Sequence, residues 1–191
     1  MLHRPTLNTP FARETLYLEP SLLAAKLRPE ENLLLLESVM RHEHLGRYSY
    51  LACNPSHVLK VERGQTIYDG SPVSEKPLAL LRQHLASAKW QTIHGLPPFQ
   101  GGFAGYISYE FGKSLEARSR LPGFDPLCAD LILNQYDTLV SFDHLQERAW
   151  VIAPNELQGD QFEKLLKRKQ GPPGSAKIGR ASCRERVSLV V

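Results

Sequence analysis

The sequence predicts an α+β domain in which antiparallel strands follow one another and a few helices are inserted between them. Short segments with strand-like alternation recur along the chain, and two pairs of them are separated only by brief polar turns. Leucines at helical spacing are confined to a few stretches between these segments. Sequential strands with separate helices are typical of the α+β class.

The first elements are short. Residues 14–19 form a brief extended segment, and residues 22–27 form a helix with Ser21 as its N-cap. Residues 32–39 form a buried strand, because their apolar run is too short for a helix. Residues 47–52 alternate as a second strand.

A hairpin and a helix are expected next. Residues 57–62 and 65–68 flank Arg63-Gly64, where glycine suits the positive φ of a tight turn. Ser74 is the expected cap of a helix over residues 76–88. The apolar stripe of this helix comprises Leu78, Leu80, Leu81 and Leu85.

The last elements of the body return to strands. Residues 102–110 are extended, and residues 131–142 pair with residues 148–153 around a turn at residues 143–147. A polar helix over residues 156–169 follows.

Composition and charge exclude several classes of protein. The chain has 191 residues, is 42% hydrophobic and has a formal net charge of +3. The excess positive charge lies from Lys177 onward, so residues 1–176 are neutral, and a nucleic-acid-binding surface is not expected. No apolar run is long enough to span a membrane, and the first residues lack the apolar region of a secretory signal. Cys53, Cys128 and Cys183 are interpreted as reduced thiols of a cytoplasmic protein.

The chain divides at a Pro/Gly break. Residues 1–170 are expected to form one domain, and residues 171–191 a tail that begins with Gly171-Pro172-Pro173-Gly174. From Lys177 to Val187 the tail resembles the conceptual translation of a sequencing adapter. We therefore expect the tail to be non-native and the domain to be a truncated part of a longer protein.

Motifs that suggest chemistry have plainer explanations. His42-Glu43-His44 groups three possible ligands, but adjacent residues rarely converge on one metal, so no metal site is predicted. The glycines of residues 101–105 lie within a strand pattern rather than at a helix start, so they indicate a bulge or close backbone approach, not a phosphate loop. No nucleophile, base and orienting group can be assembled, and no catalytic residue is predicted.

Glu37 and Ser38 are the exception, because they end an all-leucine strand where polar side chains need partners. Arg47 and Ser49 on the next strand are candidate partners in an internal salt bridge. Alternatively, the four groups surround a small zwitterion, with Glu37 binding an ammonium and Arg47 a carboxylate. Both interpretations stay open on the residues alone.

Three segments together resemble a known family, the component I subunits of anthranilate synthase and aminodeoxychorismate (para-aminobenzoate) synthase. The first is Leu35-Leu36-Glu37-Ser38 and the second is residues 46–55, GRYSYLACNP. The third and most specific is residues 98–110, PFQGGFAGYISYE, which is similar to the family's PF-x-GG-x-x-GY signature. Residues 134–144 fit the hairpin that follows, and the resemblance covers about residues 10–170.

The resemblance implies the sandwich-like amino-terminal domain of such a subunit, packed in the full protein on a chorismate-binding domain that this chain lacks. That missing domain would carry the catalytic groups and bind Mg²⁺, and a glutamine amidotransferase partner would supply ammonia. The PFQGG variant favours aminodeoxychorismate synthase of folate biosynthesis; the alternatives are anthranilate synthase of tryptophan biosynthesis and a stand-alone amino-acid-binding regulatory module. The fragment alone is expected to be inactive and to need no cofactor.

The family also implies a tryptophan pocket in this domain. Ser38 matches a pocket residue, Glu37 precedes it, and Gly46, Arg47 and Tyr48 match the adjoining wall. These five residues are the predicted ligand-binding set.

Overall fold

The computed structural model describes residues 10–38, 45–87, 92–109, 111–112 and 128–168. Within these ranges the chain forms ten strands and three helices. The strands are β1 (Phe11–Thr15), β2 (Leu34–Leu36), β3 (Tyr48–Ala52), β4 (His57–Glu62), β5 (Gln65–Tyr68), β6 (Ser71–Val73), β7 (Gly102–Ile107), β8 (Leu131–Tyr136), β9 (Leu139–Asp143) and β10 (Arg148–Ala153). The helices are α1 (Pro20–Lys26), α2 (Pro77–Ser87) and α3 (Glu156–Lys167).

The strands form two five-stranded sheets, and every pairing in them is antiparallel. The first sheet has the order β1-β10-β9-β3-β2, and the second has the order β6-β5-β4-β8-β7. The chain passes from one sheet to the other between β3 and β4 and again between β8 and β9. The predicted α+β class with antiparallel sheets and a few helices is thereby confirmed.

Each sheet buries one face beneath helices. Leu23 of α1 and Phe162 of α3 pack with Leu51 and Phe142 of the first sheet, and Leu27, which follows α1, joins them. In the second sheet, α2 contributes Leu81 to a separate cluster with Leu59, Phe103 and Leu131. Gly159 allows α3 to lie close to β1, because a Cβ there would meet the Phe11 ring at 2.5 Å.

A third cluster joins the two sheets where the chain turns from β8 into β9. Tyr50, Ala52 and Leu139 of the first sheet pack here with Ala104 and Tyr136 of the second. Burial decreases with distance from this corner: along β3 it falls from Ala52 through Tyr50 to the half-buried Tyr48. This third cluster, which extends from the corner as far as Tyr48, is called here the intersheet cluster.

The hairpin of β4 and β5 is confirmed with the predicted boundaries. Arg63 has a φ of 51° and Gly64 a φ of 76°, the two positive values of a type I′ turn. The β9–β10 hairpin is also confirmed. Among the glycines of residues 101–105, the predicted close backbone approach is confirmed at Gly105, where a Cβ would overlap the carbonyl oxygen of Ile132 on β8.

Several predicted elements differ from those observed at the start of the chain. The first strand is Phe11–Thr15 rather than residues 14–19, and α1 already begins at Pro20, with Glu19 instead of Ser21 at the N-cap position. The strand predicted over residues 32–39 is the short, half-buried β2, because it lies at a sheet edge.

Further corrections concern residues 74–85 and 131–142. Lys76, not Ser74, precedes the first residue of α2, and its carbonyl accepts the first helical hydrogen bonds. Leu78 and Leu85 are 39% and 46% exposed, so only part of the predicted stripe enters the core. The strand predicted over residues 131–142 is divided into β8 and β9, which belong to different sheets.

Among the described helices, none is long and apolar enough to cross a membrane.

Candidate functional site

The predicted ligand-binding residues lie at one end of the first sheet. Glu37 and Ser38 follow β2, while Gly46 and Arg47 lead into Tyr48, the first residue of β3. Leu36, two residues before Ser38, pairs with Tyr50, which lies two residues after Tyr48. Tyr48 pairs in turn with Asp143 at the end of β9. Strand pairing thus collects residues from distant parts of the sequence at this end of the sheet.

An ion pair between Arg47 and Asp143 dominates the site. The Arg47 Nε donates to both carboxylate oxygens at 3.1 Å, and its Nη2 donates to Oδ2 at 2.6 Å. The guanidinium carbon also lies 5.0 Å from the centre of the Tyr48 ring, within cation–π range. The side chain of Asp143 is only 4% exposed, and that of Arg47 29%. The arginine is therefore held in a fixed orientation.

Asp143 also anchors the turn that follows β9. Its Oδ1 accepts hydrogen bonds from the backbone N–H groups of Leu145 at 3.0 Å and Gln146 at 3.2 Å. Burial raises the pKa of the Asp143 carboxyl, but the hydrogen bonds from Arg47 and from the turn outweigh it, and the net shift is downward. The same pairing raises the pKa of Arg47. Both groups are charged at neutral pH.

The predicted salt bridge of Arg47 with Glu37 is wrong. Arg47 pairs with Asp143 instead, and Glu37 is exposed, so its carboxylate is hydrated and needs no protein partner. Sequence reasoning missed Asp143 as a member of the site, because it lies 96 positions after Arg47. The sequence did contain one signal for Asp143, because this residue belongs to the hairpin motif that ends at His144.

Ser49, predicted to join the same group, lies on the opposite face of β3. Its Oγ lies 2.6 Å from the Nε2 of His144, and the Tyr17 hydroxyl lies 2.8 Å from the Nδ1 of that histidine. The trio contains a serine and a histidine, as hydrolase active sites do. However, Ser49 is fully buried, so its hydroxyl cannot meet a substrate. The trio connects β3, β9 and the segment after β1.

The loop before β3 is fixed by its backbone. Gly46 has a φ of 72°, which favours glycine. The N–H of His144 donates to the carbonyl of Arg47 at 2.9 Å, extending the β3–β9 ladder past the last strand pair. The backbone and the side chain of Arg47 are therefore both hydrogen-bonded to residues at the end of β9 or directly after it.

The intersheet cluster, which extends as far as Tyr48, is rich in aromatic side chains. The ring of Tyr50 packs edge-on against Phe99 with a centroid separation of 5.4 Å. Burial raises the pKa of Tyr50 to about 12, so its hydroxyl stays protonated. The hydroxyl of Ser141 donates to the Phe99 carbonyl at 3.1 Å and fixes the loop that carries this ring.

No metal-binding cluster is found in the part of the chain that the structure describes. No group of three or more His, Cys, Asp and Glu residues there could hold a metal ion. The sequence His42-Glu43-His44 lies outside the described residues. The polar end of the first sheet, called here the rim, comprises Glu37, Ser38, Gly46, Arg47, Tyr48 and Asp143.

The comparisons with known proteins give a consistent result. A search of protein-family models finds no match. Anthranilate synthase component 1 of Pseudomonas putida is 35% identical over 175 residues, which covers 85% of this chain and 35% of that protein. Aminodeoxychorismate synthase component 1 of Bacillus subtilis is 30% identical over 111 residues, which covers 56% of this chain and 24% of that protein.

A solved structure shares the fold. Anthranilate synthase component I from Streptococcus pneumoniae TIGR4 superposes with a TM-score of 0.56 at 24% sequence identity, covering 83% of this chain and 37% of that one. The two-sheet fold is therefore shared with part of that synthase subunit. Together with the sequence matches, this makes the chain a homologue of anthranilate synthase component 1 and aminodeoxychorismate synthase component 1. It spans about a third of the Pseudomonas relative's length.

Proposed function

We propose that the chain is the amino-terminal part of a component I subunit whose complete form aminates chorismate. The ammonia would come from a glutamine amidotransferase partner. The observation that carries the proposal is the 35% identity to a component I protein across 85% of this chain. The neutral body and the matching fold are consistent with it.

Two products are candidates. The PFQGG variant, followed by Tyr136-Asp137 and Phe142-Asp143-His144, favours 4-amino-4-deoxychorismate. Two relatives named anthranilate synthase component 1 are each 35% identical to this chain over the matched residues, and this similarity favours anthranilate about as well. The proposed amination of chorismate is common to both.

The chemistry itself is proposed to lie in the part of the protein that this chain does not span. Among the described residues, no group of three or more His, Cys, Asp and Glu could hold Mg²⁺. The metal and the chorismate contacts are instead assigned to the remaining two thirds of the subunit, in line with the 35% of the relative that is covered.

The role proposed for this domain is to bind an amino acid of the tryptophan type at the rim. Ser38 and Tyr48 would contact the ligand through their hydroxyls, and the exposed carboxylate of Glu37 would attract its ammonium group. Arg47, held by Asp143, would present a fixed cationic edge toward the carboxylate. Gly46 shapes the loop through its positive φ.

The test is a reconstitution with the complete subunit. Chorismate, Mg²⁺ and either ammonium or glutamine with an amidotransferase are supplied, and the products are identified by mass spectrometry. We expect 4-amino-4-deoxychorismate or anthranilate, and the mass distinguishes the two because only anthranilate formation expels pyruvate. Consumption of no chorismate, combined with tight tryptophan binding, would instead favour the stand-alone regulatory module.

A further inference from the structure

A groove lies against the second sheet at the point where α2 begins. Its volume is about 450 Å³, and it is formed by the β4–β5 turn, by parts of β5 and β6, and by the segment that leads into α2. Small-molecule sites in proteins commonly have volumes of about 300 to 1,000 Å³. The groove is therefore large enough for a small ligand, and it shares no residue with the rim of the first sheet.

Thr66 brings a hydroxyl without a partner to this groove. It pairs with Val61 on β4 and Val73 on β6, so its side chain lies on the same face of the sheet as Val61, which packs in the cluster beneath α2. Thr66 is only 8% exposed, yet its hydroxyl makes no hydrogen bond in the part of the chain that the structure describes. It is not one of the described side-chain atoms that are sealed from solvent without a partner. The hydroxyl therefore opens into the groove that Thr66 lines.

The amino-terminal end of α2 lies at the same groove, since Lys76 and Pro77 are among the lining residues. The Lys76 carbonyl accepts hydrogen bonds from the N–H groups of Ala79 and Leu80, both at 3.0 Å, and so begins the helical ladder. The first N–H groups of a helix have no acceptor within it and carry partial positive charge. No acidic residue in the first turn of α2 neutralises this charge. The helix end therefore favours an anion in the groove.

Two cationic side chains line the groove from separate elements. Arg63 lies in the β4–β5 turn, and Lys76 directly precedes α2. Neither makes a direct ion pair with another described residue, and Glu62, the acidic neighbour of Arg63, pairs with Lys60 at 2.9 Å. Glu75 is the one acidic residue among the described lining residues, so one positive charge remains in excess.

We propose that this groove is a binding site for a phosphate group, either as the free ion or as part of a small phosphomonoester. Arg63 and Lys76 donate charged hydrogen bonds to it, and the Thr66 hydroxyl and the N–H groups at the start of α2 donate further ones. A phosphate group offers three strong acceptor oxygens, which suits donors that approach from three separate elements. The site is additional to the amino-acid pocket and does not depend on the proposed function.

The test is a titration of the 191-residue chain with inorganic phosphate and, separately, with glycerol 3-phosphate. Assigned backbone amide NMR signals report where each ligand binds, and potassium chloride keeps the ionic strength constant. We expect saturable shifts at Gly64, Thr66 and Leu78 rather than at the cationic residues from Lys177 onward. Both ligands contain the proposed group: tighter binding of glycerol 3-phosphate identifies a small phosphomonoester as the ligand, and tighter binding of inorganic phosphate identifies the free ion.

Substitutions in the groove should change phosphate binding in both directions. Arg63→Gln and Lys76→Gln each remove one charged donor and should weaken it about fivefold. Thr66→Val keeps the shape of the side chain, removes the hydroxyl and should weaken it about threefold. Glu75→Gln removes the opposing negative charge and should strengthen it about twofold.

Arg82→Gln is the matched control, because it removes an exposed positive charge from α2 at a position that does not line the groove. It should leave phosphate binding unchanged. Arg63 and Lys76 are exposed, so their variants should fold even if Thr66→Val does not. The proposal is overturned if the groove signals do not shift, if chloride alone produces the same shifts, or if Arg82→Gln weakens binding as much as Arg63→Gln.

Discussion

At the scale of single residues, the Arg47–Asp143 pair connects stability to the proposed site. The pair joins the loop before β3 to the turn after β9, and its carboxylate is almost fully buried. Replacing Asp143 by Asn keeps the shape but removes the charge that three hydrogen bonds from Arg47 require. Arg47→Ala should in turn weaken binding of the amino-acid head group.

We expect Asp143→Asn to lower the free energy of unfolding by about 2 kcal/mol, because charge-assisted hydrogen bonds to a buried group are lost. Urea denaturation measures the change. Glu14→Gln is the control, since it makes the same substitution in the Arg148–Glu14 pair, where both side chains are exposed. Its effect should be clearly smaller, because an exposed ion pair is screened by water, and equal effects in the two variants would contradict this expectation.

The same carboxyl predicts a dependence on pH. Its folded pKa lies below its ordinary value of 3.8, so its contribution to stability is present above that value and is lost as the pH falls through the folded pKa. The difference in unfolding free energy between the wild type and Asp143→Asn should be full at neutral pH and should shrink under acid conditions. A difference that grows on acidification would show that the pKa is raised instead.

At the scale of elements, β7 can lie this close to β8 only because residue 105 is a glycine, which has no side chain. A Cβ there would overlap the Ile132 carbonyl of the neighbouring strand. We expect Gly105→Ala to destabilise the domain by about 3 kcal/mol, since backbone cannot move aside cheaply. Gly112→Ala is the control, because nothing lies within 4 Å of its added methyl group. Equal melting temperatures for the two variants would refute this close approach.

The type I′ turn between β4 and β5 offers a stabilising change. Arg63 has a positive φ, which costs a branched or long side chain more than it costs asparagine. Arg63→Asn should raise the free energy of unfolding by about 0.5 kcal/mol. Gln65→Asn, in the strand two residues later, should give no gain. Thermal denaturation compares them, and a loss of stability in Arg63→Asn would argue against the turn type.

Elements were predictable from the sequence where both the strand pattern and the turn residues are present locally. The β4–β5 hairpin has alternating strands and a glycine at the turn, and it was found with the expected bounds. The break between β8 and β9 has no such signal, since Asp137-Thr138 contains neither glycine nor proline and apolar residues continue on both sides. Only the packing of two sheets reveals it.

The candidate site was predictable to a smaller extent. The motifs identified the segments that reach the rim, but residue spacing alone could not show that Arg47 pairs with a carboxylate 96 positions away. Glu37 was expected to need a partner because it follows a leucine run; at an edge strand it faces solvent instead.

At the scale of the whole molecule, the described fold closes with α3, whose Phe162 and Leu166 complete the core of the first sheet. We expect deletion of residues 171–191 to leave the free energy of unfolding unchanged to within about 0.5 kcal/mol. Urea denaturation of the two chains measures this. Deletion from residue 156 onward is the control and should prevent folding, since it removes α3. A marked loss on removing only the tail would contradict the proposed division of the chain.

The origin of this domain can be tested most directly in the DNA of its source. The locus is sequenced across the codon for Ser175 and onward, and the reading frame is compared with the two thirds of the relatives that this chain does not span. If the chain is the amino-terminal part of a component I subunit, the reading frame should not encode residues 177–191 as printed. It should continue instead into a segment similar to the rest of component I. A stop codon directly after the codon for Val191, in a locus that encodes the tail as printed, would contradict it.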